Sequence, residues 1–72
     1  MNFTYTASTG QSSLVPDRKL VHVCFDEYVT YHMRAKALEQ VMREQGIVEG
    51  PNVQHSWCSS YELRIAIDPK EE

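Results

Sequence analysis

The change of residue period near position 26 constrains this chain more than any other feature. Leu20, Val21, His22, Val23, Cys24 and Phe25 form a run rich in β-branched and aromatic side chains, which suits a strand. Beyond it, apolar residues recur at spacings of three and four until Gly46, the repeat of an amphipathic helix. A second strand signal runs over residues 61–67. A strand passing into a helix and then into another strand predicts a layered fold with the helix laid on a sheet.

Within the first of these strands, Val21, Val23 and Phe25 are expected to face the core, and Leu20, His22 and Cys24 the other side. Asp26 is placed to cap the helix, with Glu27 in its first turn, where the helix dipole favours an acid. The helix is predicted over about 27–45. Tyr31, Ala35, Leu38 and Met42 make its apolar stripe, flanked by Tyr28 and Val41, while Met33 and Ala37 fall outside it. His32, Lys36, Glu39 and Arg43 form a polar stripe. Gly46 is placed at the position after the last helical residues that favours a left-handed backbone, with Ile47 making the accompanying apolar contact.

Residues 1–7 alternate, with Met1, Phe3, Tyr5 and Ala7 on one side, and read as a half-buried strand. Residues 8–18 are turn-rich, with Gly10 and Pro16-Asp17, and read as a mobile loop pinned by Leu14 and Val15. After a turn at 49–52, Val53, His55 and Trp57 alternate with Gln54 and Ser56, and residues 58–60 make a hairpin tip. The last strand turns Tyr61, Leu63, Ile65 and Ile67 inward and Glu62, Arg64 and Ala66 outward, and Pro69 opens a frayed tail at 69–72. The order is ββαββ. The expected fold is α+β: a two-layer sandwich with one long helix on a small, mostly antiparallel sheet, forming a single domain over 1–72. Its uncovered sheet face should carry Thr4, Thr6, His22, Cys24, Glu62 and Arg64.

Size and charge narrow the function. A chain of 72 residues buries only roughly 60% of the surface its unfolded form exposes, which leaves little volume for a deep catalytic pocket beside a core. The formal net charge is −3 and the seven Lys and Arg residues are scattered, whereas a nucleic-acid binder shows a basic face. No apolar run reaches the roughly 20 residues of a membrane span, and residues 1–5 have neither the basic start nor the apolar core of a signal peptide. The expectation is a cytoplasmic protein with its two cysteines, Cys24 and Cys58, as thiols.

The residue types that carry chemistry are sparse. His22, Cys24, His55 and Cys58 are the ligand types of zinc, but their spacing lacks the two-cysteine knuckle of known zinc modules. The bland alternative is that Cys24 packs as a small apolar group and the histidines sit at the surface. Neither a metal nor a cofactor is expected. Cys58 lacks an evident base and orienting partner for nucleophilic catalysis. Asp26 and Glu27 are explained by capping, and the three glycines by turns or caps.

What remains is recognition. Trp57, Tyr61, Tyr28 and Tyr5 are of the types enriched at binding hot spots. The partner-binding set drawn from the sequence is Trp57, Tyr61, His32, Lys36, Arg43 and Arg64. The leading expectation is a non-enzymatic protein-binding module, of the kind phages and mobile elements use to occlude a surface of a host defence or nucleic-acid enzyme. The alternatives are a homodimeric accessory protein, since open sheet edges invite pairing, and a weak nucleic-acid binder using Arg64 and His22 on the uncovered sheet face.

Overall fold

The computed structural model describes residues 2–15 and 17–69, so the expectations for Met1, Pro16 and residues 70–72 lie outside the described residues. The strands are β1 (Tyr5–Gln11), β2 (Lys19–Phe25), β3 (Val53–Trp57) and β4 (Glu62–Ile67). A 3₁₀ turn at Tyr31–Met33 leads into the helix α1 (Arg34–Gln45). The sheet order is β1-β2-β4-β3, and every neighbouring pair is antiparallel. The predicted ββαββ order and α+β class are what the chain adopts.

The two central strands supply the middle of the core. Val21 lies opposite Ile65 and Val23 opposite Leu63, and all four are buried against the helix side with Phe3, Phe25, Val29, Ala37 and Val41. Burying each such aliphatic side chain stabilises the fold by about 1.5–3 kcal/mol. The alternate residues of β2, Leu20, His22 and Cys24, pair with Ala66, Arg64 and Glu62 and so share the uncovered face.

The helix departs from expectation in two ways. It begins at Arg34, not near residue 27, and Asp26 caps nothing. The cause is that the backbone donors of this segment are taken by distant residues. Phe25 N–H donates to the Tyr61 carbonyl (2.7 Å), Asp26 N–H to that of Thr4 (2.9 Å), and Val29 N–H to that of Ser60 (2.9 Å). Residues 26–30 therefore follow the sheet, and Val29 plugs the core with no exposed surface. Thr30 precedes the 3₁₀ turn in an extended conformation, without a side-chain cap.

The buried stripe is also rotated. It consists of Ala37, Gln40 and Val41, with Met33, Leu38 and Met42 partly buried beside it. Tyr31, predicted on the core face, is 80% exposed, and Ala35 is exposed as well. Met33 and Ala37, placed outside the stripe by the sequence, belong to it. The helix stop is as predicted. Gly46 has φ 69°, its N–H donates to the Arg43 carbonyl, and Ile47 N–H donates to the Met42 carbonyl at 2.8 Å, the pair of hydrogen bonds of a Schellman ending.

β1 starts later and ends later than residues 1–7, because β2 pairs with it as far as Gln11 opposite Lys19. Residues 8–11, expected in a loop, are strand. The remaining connection at 12–18 is tied by the Ser12 hydroxyl, which accepts from Leu14 and Val15 N–H, and by Arg18 N–H to the Val15 carbonyl. Leu14 does not anchor it, being 91% exposed. Arg18 instead grips the end of β4 through the Asp68 carboxylate, at 2.6 and 3.3 Å. Tyr61, expected inward, is half-exposed just ahead of β4.

Candidate functional site

The two outer strands expose very different edges. In an antiparallel pair, residues alternate between those that bond to the neighbour and those whose N–H and C=O point away. Cys58 N–H donates to the Glu62 carbonyl, and Asp68 N–H to that of Asn52. With the β3–β4 register, this places Gln54 and Ser56 in the hydrogen-bonded pairs and turns the backbone of His55 and Trp57 outward. The same reasoning on β1, from Asp26 N–H to the Thr4 carbonyl, turns Phe3, Tyr5, Ala7, Thr9 and Gln11 outward.

On the β1 side, the start of that edge is already occupied. The buried Gln40 carboxamide accepts from Phe3 N–H at 2.8 Å and donates to the Phe3 carbonyl at 2.9 Å. It also donates to Glu44, which accepts from the Tyr5 hydroxyl. Burial, and then the Glu44 bond, push the Tyr5 phenol above its ordinary value. The Tyr5 and Gln40 hydrogen bonds in turn hold the Glu44 carboxyl below its own.

On the β3 side no such guard is found among the described residues, and a cleft of about 450 Å³ opens between helix and strand, lined by Tyr31, Arg34, Ala35, Leu38, His55 and Trp57. Its floor is aromatic. Trp57 stacks on Phe25, with centroids 5.5 Å apart and planes at 17°. The Arg34 guanidinium lies 5.3 Å from the centroid of Trp57 and 5.8 Å from that of Tyr31, within reach of cation–π attraction. Arg34 Nη2 donates to the Ser60 hydroxyl at 3.3 Å. Its Nε–H is buried and has no hydrogen-bond partner among the described residues. A buried donor left unpaired costs about 1–3 kcal/mol.

The residues drawn from the sequence fall on four surfaces. Trp57 is in the cleft. Tyr61 meets Tyr28 edge to face at 5.7 Å, on the hairpin tip whose Ser60 holds Arg34. His32, Lys36 and Arg43 are exposed on α1 and the turn before it. Arg64 lies opposite His22 on the uncovered sheet face, behind the cleft. Arg34 and Tyr31, three residues apart, are not among the site residues drawn from the sequence, which places Tyr31 on the core stripe instead. Their spacing is the available signal, and it becomes informative only once the helical turn is known to start at Tyr31.

The four zinc-type residues do not converge. His22 and Cys24 share the uncovered face, with Cys24 Sγ 3.8 Å from His22 Nε2, whereas His55 lines the cleft on the helix side. Among the described residues, no group of three or more ligand-type side chains is placed to hold a metal ion. His22 Nε2 is also 3.2 Å from Glu62 Oε2. One nitrogen thus faces both thiol and carboxylate, while a nucleophilic relay uses a different ring nitrogen for each. Both cysteines are exposed and unpaired. No helix among the described residues is long and apolar enough to cross a membrane. In comparisons with known proteins, no family model, curated protein or solved structure matches this chain.

Proposed function

We propose that this protein is a binding module, active in the cytoplasm, that captures an extended segment of a larger protein as a fifth strand on β3. One observation carries the reading. Of the β3 residues whose backbone groups face outward, Val53 already spends its N–H on the Gly50 carbonyl, and the other two, His55 and Trp57, also have side chains that line the cleft. An incoming strand would gain main-chain hydrogen bonds from them, and its alternate side chains would enter the space between β3 and α1. That division of labour, backbone for affinity and pockets for specificity, is the logic of strand addition. The free thiols suit a reducing compartment. Inhibition of a host enzyme follows if the captured segment belongs to a working surface of that enzyme.

The test is selection of random nonapeptides displayed on phage against the immobilised protein. Extended sequences with alternating β-branched residues should be enriched. His55→Pro removes an outward N–H that makes no ladder bond, and proline is tolerated at such edge positions. It should leave the melting temperature nearly unchanged and abolish the enrichment. Equal enrichment by the folded variant and the parent protein would sink strand addition at β3.

A homodimer is the second reading, favoured by the outward groups of Ala7, Thr9 and Gln11, beyond the part of the β1 edge that Gln40 covers. Sedimentation equilibrium at rising concentration decides it. A single monomer mass throughout removes the dimer.

A further inference from the structure

We infer that the β3 cleft reads an acidic side chain, Asp or Glu, on the captured strand. This rests on the strand-addition reading above and adds the chemistry of the segment. Arg34 is the centre of the argument. Among the described residues, carboxylates meet basic side chains at Arg18–Asp68 and His22–Glu62, so Arg34 has no carboxylate partner. Among the described residues, no acidic side chain lines its cleft. The cation is nonetheless held firmly, against the Trp57 and Tyr31 rings and by the Ser60 hydroxyl. A guanidinium fixed before the ligand arrives loses little side-chain freedom on binding, and its planar fork suits a carboxylate.

The rest of the molecule points the same way. The chain carries a net charge of −3, and the corresponding cleft beside β1 is lined by Glu44. The two ends of the sheet therefore differ in sign, and only the open end offers a cation. Geometry fixes which residue of the captured strand is read. A residue paired directly with His55 or Trp57 points its side chain to the same face as they do, which is the face of the cleft. Its carboxylate would meet the Arg34 guanidinium, with a ring N–H of His55 as a second donor.

The experiment is the same nonapeptide selection, run in parallel on the parent protein, Arg34→Gln and Arg34→Lys, each first shown to be folded by its circular dichroism and melting curve. The selected peptide with the highest affinity for the parent is then synthesised with its acidic residue as such or as the matching amide. The expected result is an Asp or Glu at one fixed position of the peptides selected by the parent protein. The acid form should bind roughly ten- to a hundredfold tighter than the amide. Arg34→Gln should abolish that difference, and Arg34→Lys should keep part of it. Extended peptides selected without a fixed acidic position, or an acid preference that survives Arg34→Gln, would overturn the inference and leave strand addition standing. If the parent protein enriches no extended peptide at all, both fall together. If Arg34→Gln does not fold, the acid-to-amide comparison on the parent protein and on Arg34→Lys decides the matter alone.

Discussion

The side chain of Gln40 pairs with the backbone of Phe3 as a neighbouring strand would, one bond accepted and one donated. A helix thus closes a sheet edge with a single amide. Replacement by leucine keeps the volume and removes both partners, leaving the N–H and C=O of Phe3 buried and unpaired. Gln40→Leu should lower stability by about 2–6 kcal/mol, at about 1–3 kcal/mol per orphaned group. Urea unfolding checks this, and a loss under 0.5 kcal/mol, the order of a neutral surface change, would show that the amide is dispensable.

The Tyr5–Glu44 bond predicts the pH profile. Glu44 has a lowered folded value, so its stabilisation is complete above its unfolded value, about 4.3, and is lost as pH falls through the folded one. Tyr5 has a raised folded value, so its contribution is complete below its unfolded value, about 10, and is lost as pH rises through the folded one. Melting temperatures of the parent protein and Tyr5→Phe should differ most in the neutral range and converge in acid. A gap that stays constant from neutral pH down to about pH 2, below the unfolded carboxylate value, would mean that the bond does not titrate.

Asp26 and Val29 make a contrasting pair. A true helix cap replaced by alanine costs about 1 kcal/mol, but Asp26 is exposed and lies well ahead of α1. Asp26→Ala should therefore change stability by less than about 0.5 kcal/mol. Val29 has no exposed surface, and Val29→Ala should cost about 1.5–3 kcal/mol through lost burial and the cavity left behind. Denaturant midpoints in the reverse order would restore the longer helix.

Gly46 has open space where a Cβ would sit, and a positive φ of 69°. The cost of Gly46→Ala is therefore conformational alone, about 1–2 kcal/mol. Gly46→Asn should cost less, since asparagine visits this region more readily. Identical thermal shifts in the two variants would point to a steric origin instead.

The parts legible in the sequence obey local rules. The alternation in β2 and β4 and the glycine stop at Gly46 need no knowledge of distant residues. The helix start was hidden because the donors of Phe25, Asp26 and Val29 are satisfied by Tyr61, Thr4 and Ser60, and nothing near Asp26 announces this. The buried stripe was misplaced because its centre includes Gln40, a polar residue made at home in the core by the Phe3 backbone. β1 runs on through Ser8, Thr9, Gly10 and Gln11 because pairing with β2 overrides their turn-forming composition. At the candidate site, Trp57 announced itself by type, whereas Arg34 acquires meaning only from the rings it lies beside. That His22 and His55 occupy opposite faces required the strand register as well as the alternation within each strand.

Because the guard over the start of the β1 edge is carried by α1, it lasts only as long as that helix stays docked. Lifting α1 away unseals the Phe3 backbone while the hairpin of β1 and β2 remains paired, and the bared edge is then a template for another copy. The tendency of this protein to aggregate should therefore follow helix undocking rather than complete unfolding, and Gln40 is the latch that separates the two.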